Sequence, residues 1–154
     1  MSAYFCDSSA LVKRYVTEPG TDWVTSTIDP KIDGLVFIAR ITLVEVASAI
    51  FRKERNGHIS AEDTIASIIR LESDCDGEFF NVEITEHLIQ KAVKLTKTYG
   101  LRGYDAVQLA AALQTQEMRK ELSLSALLFL SADNELNAAA VNEGLRVENP
   151  NEHK

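Results

Sequence analysis

The chain has 154 residues, of which 45% are hydrophobic and 25% charged. That is enough for one domain with a buried core, and it argues against a disordered, fibrous or disulfide-stapled chain. Sixteen Lys and Arg against 23 Asp and Glu leave a net charge of −7, which argues against a broad basic nucleic-acid surface but suits a site that gathers carboxylates around a cation.

The opening residues Ala3, Tyr4, Phe5 and Cys6 read as a short buried strand that stops at Asp7. Ser8 and Ser9 follow, then a helical pattern with Leu11, Val12 and Tyr15 on one side. Around Glu18, Pro19, Gly20 and Thr21 the chain turns, and a short helix is expected over 22–28 around Trp23 and Val24. Asp29-Pro30 and Asp33-Gly34 bound a loop. A second strand over 35–38 precedes a long helix over 40–55, stopped by Asn56-Gly57. Ser60 begins a further helix whose apolar face is read as Ile65, Ile68 and Ile69.

A third strand is expected over 79–82. Thr85 then caps a helix that buries Leu88, Ala92, Leu95 and Tyr99, with Ile89 and Val93 beside them, and Gly100 ends it. Residues 105–118 form an Ala- and Leu-rich helix, apolar around much of its circumference. Strands at 126–130 and 145–147 flank a short helix that runs from Asp133 to Glu143, and Pro150 closes the fold. Near-continuous apolar strands alternating with helices mean a mainly parallel sheet covered on both faces. The reading is one α/β domain over 1–150 with a tail over 151–154.

Cys6 and Cys75 lack metal-ligand spacing. The opening residues lack the pattern of a signal peptide, and no stretch approaches a membrane span. A reduced cytoplasmic protein is the expectation. His58, His87 and His153 are scattered and form no dyad with Ser or Cys, and no glycine-rich phosphate loop is present.

Four acids occupy telling places. Asp7 and Asp133 share one grammar of strand, acid, helix, and either serves equally as a helix N-cap. Glu45 sits among Leu43, Val44, Val46 and Ala47 near a helix start. It reads as the partner of Thr42 in a capping box, or as a carboxylate drawn toward a core to meet a cation. Asp105 opens the Ala-rich helix, where the macrodipole favours an acid. Each has an innocent explanation, but parallel topology brings the ends of strands one and four to one edge, where ligands of open α/β sheets bind. Clustered carboxylates repel and raise one another's pKa. Hard oxygen ligands without His or Cys select Mg²⁺ or Mn²⁺.

With these positions in hand, the chain resembles the PIN-domain ribonucleases, in particular the VapC-type toxins of toxin–antitoxin pairs. The matching stretches run from Asp7 to Lys13 (Asp7-Ser8-Ser9-Ala10-Leu11-Val12-Lys13), through Leu43-Val44-Glu45-Val46 and Leu101-Arg102-Gly103-Tyr104-Asp105-Ala106, to Phe129-Leu130-Ser131-Ala132-Asp133. No one motif is specific, but the ordered set spans nearly the whole chain. The resemblance implies a three-layer PIN-like fold with a five-stranded sheet of order 3-2-1-4-5. It implies a metal-dependent endoribonuclease using Asp7, Glu45, Asp105 and Asp133 as catalytic residues and ligands of Mg²⁺ or Mn²⁺, with Ser9 and Ser131 in support. It further implies an RNA substrate, products with 5′-phosphate and 3′-hydroxyl ends, a homodimer and a small antitoxin partner, with no membrane.

Lys13, Arg14, Arg40 and Arg102 lie near the acidic motifs and are candidate phosphate contacts, each with an ordinary surface charge as its alternative. Lys91, Lys94 and Lys97 read as a solvated stripe. Two rival functions remain. One is another Asp-centred phosphohydrolase; a haloacid-dehalogenase-type enzyme wants an acid where Ser9 stands, and a receiver-type phosphoacceptor wants adjacent early acids. The other is a catalytically silent PIN-like binding module.

Overall fold

The computed structural model describes residues 1–29, 31–32 and 34–153. Pro30 and Asp33 of the expected loop, and Lys154 of the tail, lie outside them.

Five strands form one sheet: β1 (Ser2–Cys6), β2 (Gly34–Ala39), β3 (Phe80–Val82), β4 (Leu127–Leu130) and β5 (Arg146–Glu148). Their order is β3-β2-β1-β4-β5 and every neighbouring pair is parallel, as the apolar strands predict. Register aligns Phe5 with Phe37 on one side and with Phe129 on the other. The rings of Phe5 and Phe129 stack at 5.9 Å.

Because side chains alternate across a strand, the sheet feeds two cores. Phe5, Phe37, Ala39, Leu127 and Phe129 pack on one face. They meet α5 (Glu86–Tyr99), α6 (Gly103–Glu121) and α7 (Asn134–Asn142) through Leu88, Leu109 and Leu136. Cys6, Val36, Ile38 and Leu130 pack on the other face. They meet α1 (Ser8–Leu11), α2 (Thr21–Thr27), α3 (Thr42–Arg55) and α4 (Ala61–Gly77) through Leu11, Val24, Ile50 and Leu71. Both cysteines are buried free thiols. No helix of the described residues is long and apolar enough to cross a membrane.

The expected caps are present, with Ser60 accepting from Asp63 N–H and Thr85 from Leu88 N–H. Gly100 ends α5 at a φ of 66°, a left-handed conformation that glycine adopts without steric cost.

The face of α4 differs from the sequence reading. Ile65 and Ile69 are 61% and 63% exposed, while Thr64, Leu71, Asp74 and Cys75 are buried and Ile68 is packed partly against the core. Both stripes have helical spacing. The rotation is fixed by Asp74, which accepts from Arg14 Nε at 3.0 Å and from the Tyr15 hydroxyl at 2.7 Å. This buried network ties α4 to the 3₁₀ turn over Val12–Arg14 that follows α1. In α5, Leu88, Ala92 and Leu95 are buried as expected. Tyr99 is half-buried and its hydroxyl donates to Glu143, and Ile89 and Val93 lie exposed.

Candidate active site

All five strands point their carboxyl ends to the same edge, and the acids gather there. Asp7 follows β1 directly, its N–H donating to Leu130 O at 3.1 Å. It caps α1 and is only 3% exposed. Asp7 Oδ1 accepts from the Ser9 hydroxyl at 2.7 Å and from Ala10 N–H at 2.9 Å, and Oδ2 accepts from the Ser131 hydroxyl at 2.6 Å. Burial pushes the Asp7 pKa up to about 6, partly offset by these three donors, and the charge of Asp105 adds to the rise.

The two serines that hold Asp7 also hold each other's loops. Ser9 Oγ accepts from Ala132 N–H at 2.9 Å, and Ser131 Oγ accepts from Asp133 N–H at 3.1 Å. Asn137 donates to Ser131 O at 2.8 Å. The loop after β4 is thereby fixed to the loop after β1. Asp133 caps α7, one oxygen accepting from Leu136 N–H at 3.0 Å.

Glu45 makes no capping box. The N-cap of α3 is Ile41, without a side-chain cap. Glu45 instead accepts from Gln108 Nε2 at 2.7 Å and from the Ser8 hydroxyl at 3.3 Å. Gln108 Nε2 also donates to Thr42 Oγ1 at 2.8 Å. Thus the Thr42–Glu45 pair is spanned by an amide from α6 rather than by the backbone of α3. Burial raises the Glu45 pKa, its two donors pull it down, and Asp105 pushes it up.

Asp105 lies in the first turn of α6, half-buried. Burial raises its pKa, the charge of Asp133 raises it further, Arg102 opposes, and Glu135 adds to the rise. The negative charge of Asp105 therefore bears on Asp7 and Glu45, and that of Asp133 on Asp105. Four side chains from Asp7 to Asp133 share one electrostatic neighbourhood, with Glu135 added at its rim.

Of the four candidate phosphate contacts, three are paired with acids outside the cluster, two of them buried. Lys13 is 2% exposed and pairs with Glu18 at 3.4 Å; Arg14 is 8% exposed and pairs with Asp74. Arg40 is exposed and pairs with Glu83 at 2.6 Å. Arg102 is exposed and near enough to Asp105 to affect its titration. A residue the sequence reading left without a role is Gln108. Its signal was its place three positions after Asp105, on the same helix face.

The donor set suits a hard divalent cation: all oxygen, with no His or Cys among them. Among the described residues no three His, Cys, Asp or Glu side chains are close enough together to hold a metal ion between them as they stand. Mg²⁺ keeps several waters and takes one or two carboxylates directly, so an open array of acids fits it.

A cleft of about 490 Å³ opens beside these acids, lined by Ser8, Ser9, Glu45 and further residues of α3 and α6.

The family described as PIN domain matches residues 4–142. Ribonuclease VapC45 of Mycobacterium tuberculosis is 34% identical over 113 residues, covering 73% of this chain and 76% of the relative. Among solved structures, Mycobacterium tuberculosis VapC20, titled a sarcin–ricin loop cleaving toxin, superposes with a TM-score of 0.60 at 11% identity over 88% of this chain and 94% of that one. The toxin–antitoxin complex from Klebsiella pneumoniae gives 0.56 at 16% identity over 97% and 98%. These structural likenesses bear on fold.

Proposed function

This chain belongs to the PIN-domain family, among the VapC-type ribonucleases, and we propose that it is a divalent-metal-dependent endoribonuclease acting as the toxin of a toxin–antitoxin pair. The observation that carries the chemistry is Asp7, a carboxylate buried at a strand end, held by three donors and set within reach of the negative charge of Asp105. Burying a carboxylate beside other acids is costly unless a positive ion joins them.

Asp7 and Asp105 are the direct ligands in this reading, with Glu45 and Asp133 as further ligands, direct or through water. A bound Mg²⁺ or Mn²⁺ would lower the pKa of a water and offset charge on the phosphate and leaving oxygen. The chain's own part is orientation. Ser9 and Ser131 fix the Asp7 carboxylate plane, and Gln108 fixes Glu45. Among the described residues, no hydrogen-bond donor competes for the oxygens of Asp105. Arg102 is the candidate phosphate contact that stands beside the acids. Cleavage would leave 5′-phosphate and 3′-hydroxyl ends. An antitoxin partner, a homodimer and a cytoplasmic setting complete the proposal; family membership and the fold shared with a solved toxin–antitoxin complex support the antitoxin.

Asp7→Asn tests it. Asn caps a helix about as well as Asp, so the variant should fold with stability equal to or above wild type. Cleavage of a structured RNA with Mg²⁺ or Mn²⁺ should fall at least about a hundredfold and vanish in EDTA. Cleavage that survives either change defeats the proposal. RNA binding by the wild-type chain without metal-dependent cleavage would identify a silent binding module.

A further inference from the structure

The segment after β5 does more than close the fold. Asn149 is buried and caps a 3₁₀ turn over Pro150–Glu152, accepting from Asn151 N–H at 2.9 Å. Its amide Nδ2 donates to Asn134 Oδ1 at 3.0 Å. Asn134 directly follows Asp133 and is the first residue of α7. One residue before Asn149, Glu148 O accepts from Ser131 N–H at 3.3 Å. The turn that carries Asp133 is therefore held from the β5 side at both of its ends, Ser131 and Asn134.

The same segment is anchored on the other face of the sheet. α2 packs on that face through Val24, whereas α7 packs on the opposite one through Leu136. Gly20, the N-cap of α2, has a φ of 87°, and a side chain there would collide with the Pro150 carbonyl. Backbone meets backbone at this point, an approach that glycine permits. Three positions on, the Trp23 ring stacks on His153, with centroids 4.1 Å apart and planes 6° from parallel. His153 Nε2 also lies 2.9 Å from Glu148 Oε2. The turn that presents Gly20 is itself fixed, since Glu18 pairs with Lys13 at 3.4 Å and with Lys53 at 3.8 Å. Residues 149–153 thus run as a strap from α7 to α2, past the carboxyl end of the edge strand β5. A 3₁₀ turn of three residues has little stability of its own, so these side-chain anchors decide where it lies.

We propose that this strap positions Asp133 for a metal ion, with Asn149 as the positioning residue acting through Asn134 and the Trp23–His153 stack as its anchor. The inference rests on the nuclease reading above and adds a positioning element to that site. Asp133 spends one oxygen on Leu136 N–H, so the direction of the other follows the start of α7. Asn149 fixes that start from outside the helix. A displacement of about 1 Å is enough to spoil a site of this kind. Gly20, Trp23 and His153 line a different cavity from the one beside the acids. A change in any of them reaches the metal only through the strap.

The test compares Asn149→Ala, Gly20→Ala and His153→Ala with wild type by Mn²⁺ calorimetry, amide exchange over residues 131–136 and cleavage kinetics. Gly57→Ala is the control, because Gly57 also has a left-handed φ, 75°, but no atom within 4 Å of its Cβ position. Asn149→Ala and Gly20→Ala should weaken Mn²⁺ binding and lower kcat by roughly tenfold, the lower end of what loss of an outer partner costs, with KM little changed. His153→Ala should move both the same way by about two- to tenfold, the worth of one aromatic stack. It should also shift the emission of Trp23, the one tryptophan in the chain. Trp23→Phe, which keeps a stacking ring, should retain wild-type metal affinity and kcat. Amide exchange over 131–136 should quicken in the three strap variants, and Gly57→Ala should leave Mn²⁺ affinity and kcat at wild type. The inference is overturned if the strap variants match wild type in Mn²⁺ affinity and kcat, or if Gly57→Ala loses as much as they do. Unchanged Trp23 emission in His153→Ala also overturns it, since the anchor would then be absent. If Asn149→Ala and Gly20→Ala do not fold, His153→Ala decides. A wild-type chain that binds Mn²⁺ but cleaves no RNA defeats the nuclease reading and leaves the strap to be judged by Mn²⁺ affinity; one that binds no Mn²⁺ overturns both.

Discussion

The Ser131 hydroxyl donates to Asp7 Oδ2 at 2.6 Å across 124 positions of sequence. It joins the end of β4 to the end of β1 through a side chain, where the backbone ladder has already stopped. The same hydroxyl accepts from Asp133 N–H, so one oxygen orients two of the four acids.

Ser131→Ala should therefore act on both. Asp7 Oδ2 loses its donor in a buried site, at a cost of about 1–3 kcal/mol. Metal affinity and cleavage should fall roughly ten- to a hundredfold, as when other outer partners of a metal ligand are removed. Titration calorimetry with Mn²⁺ and denaturant unfolding check the two effects separately, and Ser131→Thr should preserve most of each.

The raised pKa of Asp7 gives a pH signature. Its value of about 6, against an ordinary 3.8, means the folded chain binds the proton more tightly than the unfolded chain. Stability from this group is present at low pH and is lost as pH rises from about 4 to about 6, by at most about 3 kcal/mol. Urea unfolding of EDTA-treated protein across that window should show the fall, and Asp7→Asn should flatten it. Added metal competes with the proton, so the pH midpoint of cleavage should move downward as Mn²⁺ concentration rises.

Gln108→Leu should separate Glu45 from its scaffold. Among the described residues the amide's buried Oε1 meets no donor, so the substitution removes that atom as well as the two bonds from Nε2. Stability should fall by about 1–3 kcal/mol, because the buried Thr42 hydroxyl and the half-buried Glu45 carboxylate both lose a donor. Cleavage should fall by about tenfold or more, since among the described residues Glu45 keeps the Ser8 hydroxyl as its one donor. Thermal unfolding beside steady-state kinetics distinguishes this from a general loss of fold.

Asp74→Ala addresses scaffold alone. It strands a buried Arg14 and the Tyr15 hydroxyl, a change that costs about 3–5 kcal/mol when a buried ion pair loses one partner. Tm should drop by roughly 10 °C or more, while Mn²⁺ affinity of the folded fraction should match wild type.

Strands, the parallel character of the sheet and several helix caps were readable from the sequence because their signals are local, whereas the strand order 3-2-1-4-5 came from the family resemblance. Apolar runs, a capping hydroxyl or acid, and a terminating glycine each act within a few residues. Side-chain commitments were harder. Arg14 stands near Asp7 in sequence and looked available to a phosphate, yet its partner Asp74 is 60 positions away. Glu45 had the spacing of a capping box with Thr42, and the donor that decides the matter, Gln108, comes from 63 positions further on. In α4, two stripes of equal periodicity competed, and the network around Asp74 chose the one without Ile65 and Ile69.

The bond between Ser131 and Asp7 also sets when the proposed site can form. Asp7 precedes Ser131 by 124 positions, so the chain between them must be made before this bond can form. On the proposed reading the four acids therefore assemble only once β4 and the turn after it exist. A product ending before Ser131 would lack both that clamp and Asp133, and by the same reading would cut no RNA.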